Sequence, residues 1–289
     1  MRWTPGGRSK DLEDLRGQSG GGIFSSGGAR MGLGGTVVLL VLSLIFGRDF
    51  ISGGPDTGAA PDQVANGTLA PADSAAEEPM VQFVSFVLDD VQSTWDSILP
   101  ATYGVPYTDA KLVLFRNVID SGCGVAQTTM GPFYCPSDDK VYIDLGFYQE
   151  LKNRFGAPGD FAQAYVIAHE LGHHVQDLLG TEAQVHRAQE NNPDQANELS
   201  VRLELQADCY AGVWGHSAAQ RNELDPGDAE EGINAAAAVG DDRLQRETTG
   251  HVDAESFTHG TSAQRVHWFE QGLKTGNPRA CDTFAGGAQ

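Results

Sequence analysis

The feature that most constrains this chain is one helical stretch, Phe161 to Leu179, with the sequence FAQAYVIAHELGHHVQDLL. Within it, the residues HELGH at 169–173 follow the pattern H-E-x-x-H. Residues i and i+4 lie on one face of a helix, so the imidazoles of His169 and His173 project to the same side. Two neutral imidazoles one turn apart suit a zinc ion. Glu170 lies beside this face and is suited to act as a general base towards a zinc-bound water.

The H-E-x-x-H pattern is short, and a solvated helix can carry it by chance. Apolar residues at helical spacing argue against that interpretation, because they predict a helix that is buried on one side. These residues are Phe161, Ala164, Tyr165, Ala168, Leu171, Val175 and Leu178. We therefore interpret the two histidines as metal ligands near a buried helix face.

A third ligand is expected from a second helical stretch, at about Ala196 to His216. It contains Glu204 and Asp208 in the pattern E-x-x-x-D. Glu204 would supply a carboxylate ligand, and Asp208, one turn later, would accept a hydrogen bond from the free N–H of a ligand histidine. A third histidine, as in the metzincins, is excluded because Gln176 and Leu179 occupy the positions that would need Gly and His. The sequence thus predicts one Zn²⁺ per chain in a site of the gluzincin type.

Four segments of the chain together resemble the bacterial neutral zinc metallopeptidase family (YpfJ-like). They are GPFYCPSDDKVYIDLGF at 131–147, HELGHHVQ at 169–176, ELQADCYAGVW at 204–214 and FTHGTSAQR at 257–265. The resemblance covers most of the chain, including its basic N-terminus and its single hydrophobic segment. It implies a membrane-anchored zinc peptidase in which His169 and His173 correspond to the family's HExxH histidines and Glu170 to its glutamate.

Charge is distributed unevenly along the chain. The net charge is −20, but residues 1–48 carry six Lys or Arg against three Asp or Glu, a net +3. The remaining residues therefore carry −23, which is −20 minus +3. An acidic body of this kind repels nucleic acid, so we exclude nucleic-acid binding. We attribute the acidity to solubility.

Three segments are predicted before the catalytic domain. Residues 1–30 are rich in Gly and Ser and predict a disordered, basic cytoplasmic tail. Residues 31–47, MGLGGTVVLLVLSLIFG, are uncharged and apolar on all sides, and they predict a transmembrane anchor in the cell membrane. A cleaved signal peptide and a buried core helix are the alternatives, but no clear cleavage site follows the run. Residues 48–79 predict a flexible linker.

Basic residues precede the apolar run, which predicts a cytoplasmic N-terminus and an extracytoplasmic catalytic domain. Residues 80–289 predict that domain as one zinc metallopeptidase unit of the α+β class, mainly helical with a small β-sheet. The predicted helices are 80–99, 161–179, 196–216, 231–244 and 263–273, and the predicted strands are 111–116, 133–135 and 141–145. We expect an edge strand of the sheet to pair with the extended substrate backbone.

The four cysteines, Cys123, Cys135, Cys209 and Cys281, allow three pairings. An extracytoplasmic domain favours disulfides, and pairing of nearest neighbours gives Cys123–Cys135 and Cys209–Cys281. In a cytoplasmic domain the cysteines would instead be reduced. Cys209 as a metal ligand is the other interpretation, but it lies about 140° around the helix from Glu204 and points away from the ligand face.

The predicted chemistry is peptide-bond hydrolysis by a zinc metalloendopeptidase. Glu170 would take a proton from the zinc-bound water and pass it to the leaving amine. His259 lies in a Gly- and Thr-rich loop and is our candidate for a second oxyanion donor, although a role in local packing is an equally good interpretation. The expected partner is a peptide or protein substrate. The alternative function is a metal-stabilised extracytoplasmic interaction domain, or a latent protease that needs a partner.

Overall fold

A small mixed sheet and a larger group of helices share one apolar core in the computed structural model, which describes residues 1–17 and 71–285. The strands are β1 (Leu12–Asp14), β2 (Lys111–Phe115), β3 (Val118–Ser121), β4 (Gly124–Gln127), β5 (Phe133–Cys135) and β6 (Lys140–Asp144). The helices are α1 (Pro71–Tyr103), α2 (Gly146–Asn153), α3 (Asp160–Leu178), α4 (Thr181–Asn191), α5 (Ala196–Gln220), α6 (Asp228–Ala238), α7 (Asp241–Thr248) and α8 (Ser262–Thr275). The prediction of a mainly helical α+β domain with a small sheet is therefore confirmed for the described residues.

The main sheet has the strand order β1-β2-β6-β5. Strands β1, β2 and β6 are parallel to one another, whereas β5 runs antiparallel to β6 and forms one edge. β2 lies inside the sheet, and its residues Leu112, Val113, Leu114 and Phe115 are all buried, as expected for a strand that is covered on both faces. Strands β3 and β4 form a separate antiparallel hairpin that the sequence analysis missed.

Two glycines allow the central helices to approach one another closely. A Cβ atom at Gly172 in α3 would lie 3.0 Å from the carbonyl oxygen of Ala207 in α5. A Cβ atom at Gly272 in α8 would lie only 1.9 Å from the carbonyl oxygen of Cys209 in α5. Helix α5 therefore lies against α3 on one side and α8 on the other, and it brings side chains of all three helices to one place.

Residues 1–17 belong to the folded domain. β1 pairs in parallel with β2, with Leu12 opposite Leu112, and Trp3 packs edge-on against Phe83 at a ring distance of 5.4 Å. The prediction of a disordered tail is therefore wrong for these residues. The sequence analysis failed here because a strand of three residues is stabilised by its partner strand, which lies about 100 positions away in the sequence.

The first helix also begins earlier than predicted. α1 starts at Pro71 rather than at Met80, so the last part of the predicted linker at 48–79 is helical. Glu77 accepts a hydrogen bond from Arg16 at 2.6 Å. Contacts with the N-terminal residues therefore stabilise the early turns of α1, and no local sequence pattern shows such contacts.

Both disulfides have the pairing predicted from nearest neighbours. Cys123 and Cys135 join the turn of the β3–β4 hairpin to the end of β5, with 5.8 Å between their Cα atoms. Cys209 and Cys281 join α5 to the C-terminal segment, with 5.6 Å between their Cα atoms. Cys209 is therefore not a metal ligand.

The position of residues 1–17 in the fold can be compared with the predicted membrane topology. Within residues 1–17 and 71–285 no helix is long and apolar enough to cross a bilayer, and the predicted anchor at 31–47 lies outside these residues. A single crossing would separate its two flanks by about 30 Å of hydrocarbon, whereas neighbouring strands lie about 4.8 Å apart. If the N-terminus lay in the cytoplasm and the domain outside it, β1 could not reach β2. The β1–β2 pairing therefore excludes that topology.

A zero-length crosslinking experiment distinguishes these two arrangements. A carbodiimide, which couples carboxylates to amines in contact, is expected to join Asp11 to Lys111 and Glu13 to Lys140 in the full-length protein. The Nζ–carboxylate distances are 2.7 Å and 2.8 Å. Mass spectrometry of proteolytic peptides would identify both links, and Lys→Arg variants at the two lysines would lose them because guanidinium groups do not couple. If neither link forms in the isolated protein, the N-terminal residues do not pair with β2.

Candidate active site

Three side chains from two helices converge at the centre of the candidate active site. α3 presents His169 and His173, and α5 presents Glu204. The Nε2 atom of His169 lies 3.2 Å from one carboxylate oxygen of Glu204, and the Nε2 atom of His173 lies 3.5 Å from the other. The structure thus brings together the three residues that the sequence analysis selected as ligands.

The second nitrogen of each imidazole has a hydrogen-bond acceptor of its own. Nδ1 of His169 lies 2.9 Å from the carboxylate of Asp208, and Nδ1 of His173 lies 2.8 Å from the side-chain oxygen of Gln176. These acceptors favour a proton on each Nδ1, so that the neutral form of each ring presents its Nε2 lone pair to the site. Gln176 also donates to the backbone oxygen of Leu203 at 2.7 Å, which ties α3 to α5 beside the site.

The donor set fits a zinc ion. The ligand atoms of the two histidines and Glu204 lie within 4.8 Å of one another. Two imidazoles and one carboxylate are a common ligand set of catalytic zinc, and the Nδ1 acceptors already fix the orientation of both rings. His169 is buried, whereas His173 and Glu204 are partly exposed, so the site can be reached from one side.

The surrounding charges set the protonation of the candidate ligands. Burial favours the neutral imidazole of His169, but Asp208 and Glu204 outweigh burial and raise the pKa of His169 to about 10. Burial also opposes the charge of Glu204, yet His259, His173 and His169 hold the pKa of this carboxyl well below its ordinary value. Glu204 is therefore anionic at neutral pH. A metal ion has to displace the proton of His169, so metal affinity falls as the pH falls.

A buried arginine, Arg265 of α8, was not selected by the sequence analysis. Its guanidinium donates to both carboxylate oxygens of Asp208, at 2.8 Å and 2.9 Å, and to the hydroxyl of Tyr165 at 3.2 Å. The Tyr165 hydroxyl in turn donates to Asp208. Arg265 is only 3% exposed and Asp208 is fully buried, so each charge depends on the other for compensation. This network holds the acceptor that orients His169.

Glu170 is buried and lines the cleft beside the histidines. Burial raises the pKa of its carboxyl above the ordinary value, although His169 and His173 oppose this effect. A raised pKa brings a carboxylate closer to the range in which it can exchange protons near neutral pH. The Tyr148 hydroxyl is buried without a hydrogen-bond partner among the described residues, and burial together with the charge of Glu170 raises its pKa.

His259 faces the same cleft and is held by a single aspartate, Asp241, at the start of α7. The backbone N–H groups of Thr258, His259 and Gly260 all donate to one oxygen of Asp241, at 2.7, 2.6 and 3.1 Å. The other oxygen lies 3.2 Å from Nδ1 of His259. Burial lowers the pKa of His259, but Glu204 and Asp241 outweigh it and raise the pKa. Asp241 therefore fixes the position of the imidazole at the cleft wall, and the ring can donate from Nε2 to a group in the cleft when it is protonated.

The cleft has a volume of about 340 Å³ and contains all the residues named so far as candidate ligands or catalytic groups. One wall is formed by Phe133 and Tyr134 of β5, which is one of the two edge strands of the main sheet among the described residues. The sequence analysis expected such an edge strand but did not identify it. An edge strand beside the candidate metal site is the kind of element that can pair with an extended peptide.

One functional residue that the sequence analysis missed could have been found from the sequence, and two could not. Gln176 lies three residues after His173, and i,i+3 neighbours on a helix are in contact. Arg265 stands at the end of the FTHGTSAQR segment, but nothing local indicates that it reaches Asp208. Asp241 is likewise separated from His259 by a loop. Contacts of this kind depend on how α5, α7 and α8 pack.

Comparison with known proteins agrees with this geometry. The model of the family described as "Putative neutral zinc metallopeptidase" matches residues 1–284. The chain belongs to this family. It is 47% identical over 290 residues to "Uncharacterized protein YpfJ" of Escherichia coli (strain K12), covering 98% of this chain and 99% of that protein. It is 44% identical over 208 residues to "Uncharacterized protein Rv2575" of Mycobacterium tuberculosis (strain ATCC 25618 / H37Rv), covering 68% of each chain. No solved structure matches the chain.

Proposed function

We propose that this member of the zinc metallopeptidase family is an active zinc-dependent endopeptidase that holds one Zn²⁺ through His169, His173 and Glu204. The observation that carries the proposal is the convergence of these ligand atoms, within 4.8 Å of one another, in a cleft that Glu170 and His259 also line. When bound, the zinc ion supplies a Lewis acid that acidifies water and polarises a carbonyl group.

The residues of the chain would then act on a peptide bond in a defined order. Glu170 accepts a proton from the attacking water and later gives it to the leaving amine. His259 donates a hydrogen bond to the oxyanion that develops on the scissile carbonyl, and Asp241 keeps the imidazole in position. The free edge of β5 pairs with the substrate backbone. Asp208 and Gln176 hold the two ligand histidines.

Loss of His259 is expected to slow the reaction without preventing zinc binding. We expect His259→Phe to lower kcat by about 10²-fold, because it removes one donor to the oxyanion. Asp241→Asn should give a smaller loss in the same direction, since the backbone donors around Asp241 would still find an acceptor. Steady-state kinetics on one peptide would measure both effects. His251→Phe is the control, because His251 is exposed and lies, like His259, between α7 and α8. An unchanged kcat in His259→Phe would remove this residue from the mechanism.

The compartment of the domain is also a proposal. The two disulfides support a location outside the cytoplasm, because disulfides persist in oxidising compartments. Both cysteines of one disulfide, Cys209 and Cys281, are fully buried. Anchoring by residues 31–47 stays a prediction, and the pairing of β1 argues that residues 1–17 lie on the same side as the catalytic domain.

A chelation experiment tests the proposed activity. The full-length protein, loaded with zinc, is incubated with a diverse peptide mixture, and the products are identified by mass spectrometry. We expect cleavage to stop after treatment with a chelator and to return when zinc is added in stoichiometric amount. A zinc-loaded protein that cleaves no peptide would favour the alternative function, a metal-stabilised interaction domain or a latent protease that needs a partner.

A further inference from the structure

The two ends of the cleft differ in chemistry. At one end, which we call the apolar end, the wall is formed by Phe147, Phe155, Val166 and Leu244. Val166 precedes the ligand histidines by about one turn of α3. At the other end, which we call the acidic end, α4 contributes Glu182, His186 and Gln189. Glu182 follows the last residue of α3 by four positions and interacts with Asp177 in the last turn of that helix, so Glu182 and Val166 lie on opposite sides of the histidine pair along the α3 axis.

Glu182 at the acidic end has a carboxylate oxygen that lacks a donor. Its Oε1 atom lies 3.4 Å from Nε2 of His186, one turn later on the same helix. Its Oε2 atom is buried and has no hydrogen-bond partner among the residues that the structure describes. The side chain as a whole is 16% exposed. A buried carboxylate oxygen is costly unless a donor compensates it, so this position calls for a hydrogen-bond donor.

The surroundings of Glu182 increase the demand for a positive charge. Asp177 lies close enough that burial and the charge of Glu182 together raise the pKa of its carboxyl. Asp177 already accepts a hydrogen bond from the hydroxyl of Tyr134 at 3.0 Å, so it has a partner of its own. Glu182 also lies in the first turn of α4, where the helix dipole favours an anion. The dipole explains a carboxylate at this position but supplies no donor to Oε2.

We propose that Glu182 binds a basic side chain of the peptide substrate, so that the enzyme prefers peptides with Lys or Arg at this subsite. This inference rests on the proposed peptidase function. An ammonium or guanidinium group has several N–H donors and the opposite charge. It would pair with the carboxylate once rotation of the terminal torsion turns Oε2, which is buried in this structure, towards the cleft. The apolar end would take a large apolar residue of the same peptide.

Matched peptides test the inference. Full-length, zinc-loaded wild type, Glu182→Gln and Glu190→Gln are compared on a set of peptides in which each position in turn carries Lys, Arg, Gln or Glu. Glu190 lies on the same helix and is exposed, and it does not line the cleft, so its variant controls for the change in charge. One position of the peptide is expected to respond to the variant. With Lys or Arg at that position, Glu182→Gln should lower kcat/KM by about 10–100-fold, the range for a hydrogen bond to a charged group. Neutral peptides should change little, and Glu190→Gln should behave as wild type.

Two results would overturn the proposal. One is a wild type that cleaves peptides without preferring a basic residue at any position. The other is an equal loss on basic and neutral peptides in Glu182→Gln, which would indicate a purely structural role.

A binding measurement separates failure of this inference from failure of the proposed function. If the wild type cleaves nothing, fluorescence anisotropy with labelled peptides compares Glu170→Gln with the double variant Glu170→Gln/Glu182→Gln. Tighter binding of basic than of neutral peptides, lost in the double variant, would support the Glu182 subsite in a protein that is not a peptidase. Equal binding of both peptide classes would refute the subsite.

Discussion

Replacing Glu170 with Gln is expected to lower kcat for peptide hydrolysis by about 10²–10⁴-fold, because the amide cannot accept the proton of the attacking water. Zinc affinity should stay close to that of the wild type, since Glu170 is adjacent to the ligands but is not one of the three converging side chains. The variant should also fold normally. Glu170 is 8% exposed, and exchanging a buried carboxylate for a neutral amide of the same shape removes a desolvation penalty.

Three measurements on the same preparation check this expectation. Steady-state cleavage of one peptide gives kcat, a chromogenic chelator competition gives zinc affinity, and thermal unfolding gives stability. Glu198→Gln, at an exposed position of α5, is a matched control for the substitution and should retain full activity. A zinc-loaded Glu170→Gln protein that cleaves peptides at the wild-type rate would contradict the assignment of Glu170 as the general base.

Replacing Asp208 with Ala is expected to have the largest effect on stability of any single change at the site. Asp208 is fully buried, and its loss leaves the guanidinium of Arg265, which is 3% exposed, without its main partner. Breaking a buried ion pair in this way costs about 3–5 kcal/mol. Zinc affinity should also fall by about 10–100-fold, because Nδ1 of His169 loses the acceptor that fixes its orientation.

A double variant separates the two consequences. Asp208→Ala/Arg265→Met removes the unpaired charge along with its partner, so the free energy of unfolding should recover in part. Zinc affinity should not recover, because His169 still lacks its acceptor. Denaturant unfolding and chelator competition would report the two quantities independently. If Asp208→Ala unfolded at the same denaturant concentration as the wild type, the ion-pair network would not contribute to the stability of the fold.

The parts of the site that depend on helical periodicity can be predicted from the local sequence. The i,i+4 spacing of His169 and His173 puts both imidazoles on one face of any regular helix, and the same spacing relates Glu204 to Asp208. The strand KLVLFR was predicted from a continuous apolar run, and most of α1 was predicted because its apolar residues follow the helical period, although the helix begins at Pro71 rather than at Met80. The disulfides also follow the nearest-neighbour assignment, although 72 positions separate Cys209 from Cys281.

The distant residues that complete the site and the sheet are known from the packing of the helices and strands, not from local sequence patterns. Arg265 reaches Asp208 because Gly272 lets α8 approach α5, and Asp241 holds His259 because α7 and the following loop fold back on each other. Residues 1–17 join the domain because β1 pairs with β2 across more than 90 residues. A local sequence pattern indicates whether one segment forms a helix or a strand and which of its faces is buried. The contacts described here depend in addition on how two such segments are placed relative to each other. The helix that binds the metal could therefore be predicted from the sequence, but the network that supports it could not.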